Sequence, residues 1–246
     1  MNIKILHLLT GAKEATGLTV IIDVFRAFSL EAYLFSQGAE VIYPIGSIAK
    51  ALELKKEHPE YISFGEREGA KVKGFDYGNS PSSVLGQDLT GKRIIHTTSA
   101  GTQGITNAAH ADEIITGSLV NAKAIAAYIK QKNPEEVSLV CMGWQCERDT
   151  AEDVLCAEYI KSLLEDKPFE NIEERALQLK ELEGKKFFNP ELQDKFPEQD
   201  FWMCTKTNIF DFVIQSKFEE NMLVNRRFDI KKIGSKLMLC YHYTRV

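Results

Sequence analysis

Apolar blocks recur along the first two thirds of the chain in two alternating rhythms. Short runs rich in β-branched residues read as strands, and stretches with apolar positions three and four apart read as helices. Residues 3–9 form the first strand-like run, and residues 11–17 a polar connection. Residues 18–24 (LTVIIDV) are almost continuously apolar and run into Asp23, the pattern of a central strand buried on both faces. Residues 26–37 have helical spacing through Phe28, Leu30, Tyr33, Leu34 and Phe35, and stop at Gly38. Residues 40–44 read as a strand. Ser47 then caps a helix that ends near His58, ahead of Pro59. Residues 61–64 are the next strand.

Residues 65–81 (GEREGAKVKGFDYGNSP) have neither rhythm and read as one long loop. Loops of that length inside a compact domain are usually functional or disordered. Ser80-Pro81 reads as a helix start. Residues 93–96 are a strand, followed by a turn at residues 97–102 and a small-residue helix to about His110. Residues 113–116 (strand), a helix capped by Asn121, and residues 137–142 (strand) follow. Thr150 with Asp153 has the form of a capping box opening a helix to about Leu164.

This alternation implies an α/β fold, three-layer α/β/α, with a mainly parallel or mixed central sheet. The character changes near residue 166. Residues 1–165 read as the α/β core carrying the motifs, and residues 166–246 as a C-terminal α/β extension packed on the same domain. Within it, residues 169–182 read as a charged amphipathic helix, 201–212 as an aromatic-rich helix and 236–243 as a last strand.

A chain of 246 residues with 44% hydrophobic and 26% charged residues can bury a core without disulfides or a structural metal. The net charge of −5 and the lack of a basic cluster argue against a nucleic-acid surface. No apolar run is long enough to span a membrane. The N-terminal residues lack a signal peptide's pattern, and the five cysteines are an odd number in no zinc-binding spacing. A cytoplasmic location is therefore expected. Oligomeric state is not legible, and a homo-oligomer stays open.

In open α/β sheets ligands bind at the carboxyl ends of parallel strands. Four features fall there: Asp23 to Arg26, the start of the 65–81 stretch, the 97–102 turn, and residues 143–153. Thr98, Ser99, Gly101 and Thr102 offer hydroxyls and N–H groups at a helix start, either an anion site or an ordinary cap. Arg26 and Arg67 suit oxyanions, or surface ion pairs. Asp23, Glu66 and Asp153 are hard oxygen ligands suited to Mg²⁺, although Asp153 would also serve as a cap. No phosphate-loop, dinucleotide or nucleophile-elbow motif is present.

The motifs IIDVFRA (21–27), GEREGAKVKGFDYGNSP (65–81), TTSAGTQGI (97–105) and EDVLCAEYI (152–160) resemble, in order and spacing, those of the 2-phosphosulfolactate phosphatase family. The resemblance covers roughly the first 165 residues. It implies a Mg²⁺-dependent phosphatase that hydrolyses 2-phospho-3-sulfolactate to 3-sulfolactate and phosphate, a step toward coenzyme M. It also implies catalytic roles for Asp23, Arg26 and Arg67, substrate contacts from Asn79, Ser80, Ser99, Gly101 and Thr102, and metal contacts from Asp23, Glu66 and Asp153. Many members carry Thr-Asn-Gly-Thr where this chain has Ser99-Ala100-Gly101-Thr102. Trp144, Gln145 and Cys146 are also unusual. A small phosphorylated acid is the expected partner. Metal-activated water is the expected nucleophile, because Phe25 stands where the haloacid dehalogenase phosphatases have their second aspartate; the rival is Asp23 as a covalent nucleophile forming an aspartyl-phosphate. The alternatives are a phosphatase for a different small phosphorylated acid and a non-catalytic anion-binding protein.

Overall fold

Strand and helix alternate through the first 165 residues as the sequence rhythm implies. The computed structural model describes residues 1–230; the strand expected over residues 236–243 lies outside them. The chain opens with β1 (Asn2–His7), α1 (Leu8–Glu14), β2 (Gly17–Ile22) and α2 (Ala27–Ser36). It continues through β3 (Val41–Pro44), α3 (Ile48–Glu57), β4 (Ile62–Arg67) and the short β5 (Ala70–Lys71). Next come β6 (Arg93–Thr97), α4 (Gly101–Asn107), β7 (Ala111–Gly117), α5 (Ala122–Lys132), β8 (Glu136–Cys141) and α6 (Ala151–Leu164). The last third adds α7 (Ile172–Gln178), α8 (Glu198–Cys204), β9 (Phe212–Glu219) and β10 (Met222–Asp229).

These strands form one sheet in the order β1-β8-β2-β7-β9-β10-β3-β6-β4-β5. Every residue of β2 is buried, which is why its sequence is continuously apolar rather than alternating. Leu18, Val20 and Ile22 pack with Ile125 of α5 and Ile160 of α6. Ile21 packs on the other face with Ala12 of α1, Phe28 of α2 and Ile105 of α4. Helices therefore cover both faces, giving the three-layer α/β/α arrangement. No helix among the described residues is long and apolar enough to cross a membrane.

The sheet is mixed, and the hairpin makes it so. β1, β8, β2 and β7 are mutually parallel, as are β3, β6 and β4. β9 and β10 pair antiparallel with each other and with β7 and β3, so the two parallel blocks run in opposite directions. In a flat sheet β2 and β6 would lie five strand spacings apart, about 24 Å, with their carboxyl ends on opposite edges. Yet the Gly101 N–H, just after β6, donates to Asp23, just after β2, at 2.8 Å. The sheet must curl to bring the two sets of carboxyl ends together.

Several local expectations change. Residues 11–17 are not simply a connection, because α1 runs to Glu14. Its small residues Gly11 and Ala12 are buried, and two turns are too short to display a period. The 65–81 stretch begins as strand: β4 continues through Glu66 and Arg67, and β5 pairs back on it across a turn with positive φ at Glu68 and Gly69. Ser80-Pro81 opens only a single 3₁₀ turn (Pro81–Val84), and Ser80 does not cap it. Asn121 precedes α5 without capping it; Asn208 accepts from the Lys123 N–H instead, at 2.9 Å. Residues 201–212 are helical only to Cys204, and residues 169–182 only over α7 and a short 3₁₀ turn.

Candidate active site

Asp23 stands where β2 ends and α2 begins. One of its oxygens, Oδ2, is held by the Gly101 N–H; the other makes no hydrogen bond among the described residues. The approach is close because residue 101 is glycine: a Cβ there would lie 2.8 Å from Phe28 Cζ and 3.0 Å from Asp23 Oδ2. Three residues on, Arg26 adopts φ 88° and ψ −59°, a conformation that costs a non-glycine residue on the order of 1–3 kcal/mol and concentrates at functional sites. Its buried guanidinium donates to the Lys195 carbonyl (2.8 Å) and the Gly69 carbonyl (3.2 Å) and lies over the Phe196 ring. Two of its five N–H donors are thus used, and three remain.

Most N–H donors of the turn before α4 are answered by the protein's own oxygens. Ser99 N–H donates to Glu66 Oε1 at 2.6 Å, Gly101 N–H to Asp23, and Thr102 N–H to Thr98 Oγ1 at 3.0 Å. Thr98 and Thr102 also bond each other, so both are buried braces of the turn, and neither is in the wall of the cavity that holds Asp23. A helix start attracts the nearest anion, and here the nearest anions are Asp23 and Glu66. Glu66 also accepts from Gly69 N–H (2.7 Å) and Ser99 Oγ (3.1 Å), tying the β4–β5 turn to the α4 turn.

Asp153 does not cap α6. Its two oxygens reach across to the Val24 and Gly143 N–H groups, both at 2.8 Å, and so clamp the ends of β2 and β8 together. Arg67, expected in catalysis, does not line the cavity. Its guanidinium donates to the carbonyls of Glu66 (2.6 Å) and Gly46 (2.8 Å) and to Thr97 Oγ1 (3.0 Å), which is a bracing role. Arg67→Met is therefore expected to cost about 1–3 kcal/mol of stability through the orphaned acceptors and to leave kcat close to wild type. Thermal unfolding and steady-state kinetics check this, and a thousandfold loss of kcat would return the guanidinium to the reaction.

Asp23, Arg26, Glu66, Asn79, Glu152 and Lys186 line a tight cavity of ≈ 40 Å³, with Ser99, Ala100, Trp144 and Gln145 also in its wall. Arg26 and Asn79 are shared with an adjoining cleft of ≈ 380 Å³ that adds Lys71, Ser80 and Lys195. Ser80 itself donates to Asp200 Oδ1 at 2.7 Å. Sequence reasoning missed Glu152 and Lys186. Glu152 sits inside a quoted motif but beside an apparent cap. Lys186 lies in a polar stretch, and only its neighbour Phe187, fully buried, hints that the segment turns inward.

The cavity is short of positive charge. Burial first, and the Glu66 charge second, push Asp23 up to about 8 against the pull of the Gly101 N–H. Burial and the Asp23 charge do the same to Asp153, and burial and the Asp153 charge to Glu152, each to about 8. Burial lowers the Lys186 ammonium, with Glu152 opposing it. Glu152 Oε2 is buried without a partner. Two carboxylate oxygens, Asp23 Oδ1 and Glu152 Oε2, are therefore uncommitted in one acidic pocket. No three potential ligands converge as a complete metal cage among the described residues. That donor set fits Mg²⁺, which takes one or two carboxylates and fills its shell with water and phosphate oxygens.

A family model described as 2-phosphosulpholactate phosphatase matches residues 5–218. A probable 2-phosphosulfolactate phosphatase of Bacillus subtilis is 31% identical over 204 residues, covering 81% of this chain and 87% of the relative. Another, of Carboxydothermus hydrogenoformans, is 36% identical over 234 residues, 91% of this chain and 97% of the relative. A third, of Thermotoga maritima, is 41% identical over 138 residues, 56% and 58% of the two chains.

Proposed function

The chain belongs to the 2-phosphosulfolactate phosphatase family of phosphoric monoester hydrolases, and from that premise we propose that it hydrolyses 2-phospho-3-sulfolactate to 3-sulfolactate and phosphate with the help of Mg²⁺. The observation that carries this reading is the pairing of two uncommitted carboxylate oxygens with the buried Arg26 and the half-buried Lys186 in one cavity. Asp23 and Glu152 would hold the ion, which supplies Lewis-acid polarisation of the phosphoryl group and an activated water. Lys186 and the free N–H groups of Arg26 face the charge on the phosphoryl oxygens, where low solvent access strengthens their effect. Asn79 adds a neutral contact. Glu66 and Asp153 hold backbone, not substrate, and keep Asp23 in register.

The adjoining cleft suits the other end of the substrate. Lys71, Lys195 and Ser80 there, next to Arg26, match a sulfonate or carboxylate. Lys195→Ala is expected to raise KM for the sulfonated ester about two- to fivefold, the size of a partly exposed ion pair, with kcat little changed. Steady-state kinetics on that ester check it, and a kcat loss at constant KM would contradict it. The cysteines among the described residues are free thiols, which supports a reducing, cytoplasmic setting.

The test is phosphate release from 2-phospho-3-sulfolactate, 2-phospholactate and p-nitrophenyl phosphate, each with Mg²⁺ and with chelator. The sulfonated ester is expected to be the best substrate, and chelator to abolish turnover. Equal rates on all three esters would remove the substrate assignment. A rate indifferent to chelator would remove the metal.

A further inference from the structure

Behind the cavity a chain of buried polar side chains crosses the core. Asn79 Oδ1 lies 2.9 Å from His96 Nε2, and His96 Nδ1 lies 2.8 Å from Glu31 Oε1. Glu31 Oε2 is 2.8 Å from Asn225 Nδ2, and Asn225 Oδ1 is 2.6 Å from Ser216 Oγ. His96, Glu31 and Asn225 are 0% exposed. They stand on β6, α2 and β10, with Ser216 on β9, so the central hairpin anchors the far end of the chain.

A fully buried ion pair adds little to stability compared with apolar residues of the same volume, so its presence needs another reason. The directions of the bonds supply one. An ionised Glu31 accepts at both oxygens, from the Asn225 amide and from His96 Nδ1–H. The Ser216 hydroxyl donates to the Asn225 carbonyl, which fixes that amide. At the other end, His96 Nε2 faces the Asn79 carbonyl oxygen and must also carry a proton. His96 is then an imidazolium, and the Asn79 NH₂ is turned away from it, toward the cavity that Asn79 lines. With Glu31 ionised and His96 neutral, Nδ1 would keep its proton for Glu31 and Nε2 would accept instead. Asn79 would then flip and present its carbonyl to a pocket already crowded with carboxylates.

We infer that His96 and Glu31 are positioning residues: their ion pair locks the Asn79 amide so that its N–H donors meet an oxyanion in the cavity. The ligand in this inference rests on the phosphatase reading, while the charge on His96 does not. ¹⁵N NMR of the full-length protein near pH 7.5, with His96 assigned by its loss in His96→Gln, is expected to show both ring nitrogens protonated. A neutral His96 ring would overturn the inference.

The second readout is inhibition by inorganic phosphate. Asn79→Ala and His96→Gln are each expected to raise Ki about tenfold, the size of one charge-assisted hydrogen bond. The double variant should be no worse than either single, since both remove the same contact. Multiplying effects in the double variant, or unchanged phosphate affinity in His96→Gln, would overturn the inference. If His96→Gln fails to fold because Glu31 is left unpaired, His96→Leu with Glu31→Gln removes both charges, keeps an acceptor for Asn225 and must show the same rise in Ki. Phosphate failing to inhibit the wild type would overturn the phosphatase reading alone, with the NMR arm still deciding the geometry.

Discussion

Asp23→Asn is expected to lower kcat/KM for 2-phospho-3-sulfolactate by about 10³-fold or more and, at the same time, to raise the thermal midpoint of the metal-free protein. The asparagine oxygen can still accept from the Gly101 N–H, so the contact between the two sheet blocks survives. What disappears is the hard anionic oxygen facing the cavity. The gain in stability follows from the raised carboxyl. Burial and Glu66 push Asp23 from 3.8 to about 8, so the folded state holds this proton more tightly than the unfolded chain does. Unfolding free energy therefore falls as pH rises from about 4 to about 8, then levels. Glu152 and Asp153, raised in the same direction, add to the slope. Thermal unfolding of the metal-free protein should show a midpoint that declines across this window, a shallower decline in Asp23→Asn, and recovery on adding Mg²⁺ at pH 8. A rate loss below tenfold would take Asp23 out of the chemistry. A midpoint that falls in the variant would mean its charge is paired.

Asp153→Ala is expected to cost about 2–6 kcal/mol of stability, because it leaves two buried N–H groups without partners at about 1–3 kcal/mol each. Those groups belong to Val24, next to Asp23, and to Gly143, which turns the chain after β8. Gly143 has φ +65°, and a Cβ there would lie 2.2 Å from the Arg148 carbonyl, so the turn tolerates little rearrangement. Relief of repulsion with Asp23 and Glu152 offsets part of the cost. With the clamp gone, the end of β2 shifts, and a displacement of about 1 Å at a reacting group costs about 10²-fold in rate. Denaturant unfolding and kinetics on the same samples check both effects. Lost activity with unchanged stability would make Asp153 a ligand, as the family resemblance implied. Unchanged activity and stability would mean there is no clamp.

What the sequence disclosed and what it hid divide along locality. The β2 strand was legible because burial on two faces writes a continuous apolar run, and Asp23 because a carboxylate ending such a strand needs a purpose. The role of Asp153 was not legible. Its spacing from Thr150 is that of a cap, and its partner Val24 lies 129 positions away. The α4 turn was legible as a helix start rich in hydroxyls and N–H groups, open between an anion site and an ordinary cap. Only tertiary structure decides that the anions are Asp23 and Glu66. Arg67 looked like an oxyanion ligand until Gly46, on a distant turn, claimed its guanidinium. The β9–β10 hairpin, which sits mid-sheet and reverses one block against the other, has no local signature of that placement.

The most direct test of the account is a crystal structure of the protein grown with Mg²⁺ and vanadate. The vanadate is expected against Asn79, Lys186 and Arg26, with the ion on Asp23. Vanadate bound instead in the ≈ 760 Å³ cleft beside Gly46, Lys50 and Gln103, with Asp23 touching neither ion, would contradict it.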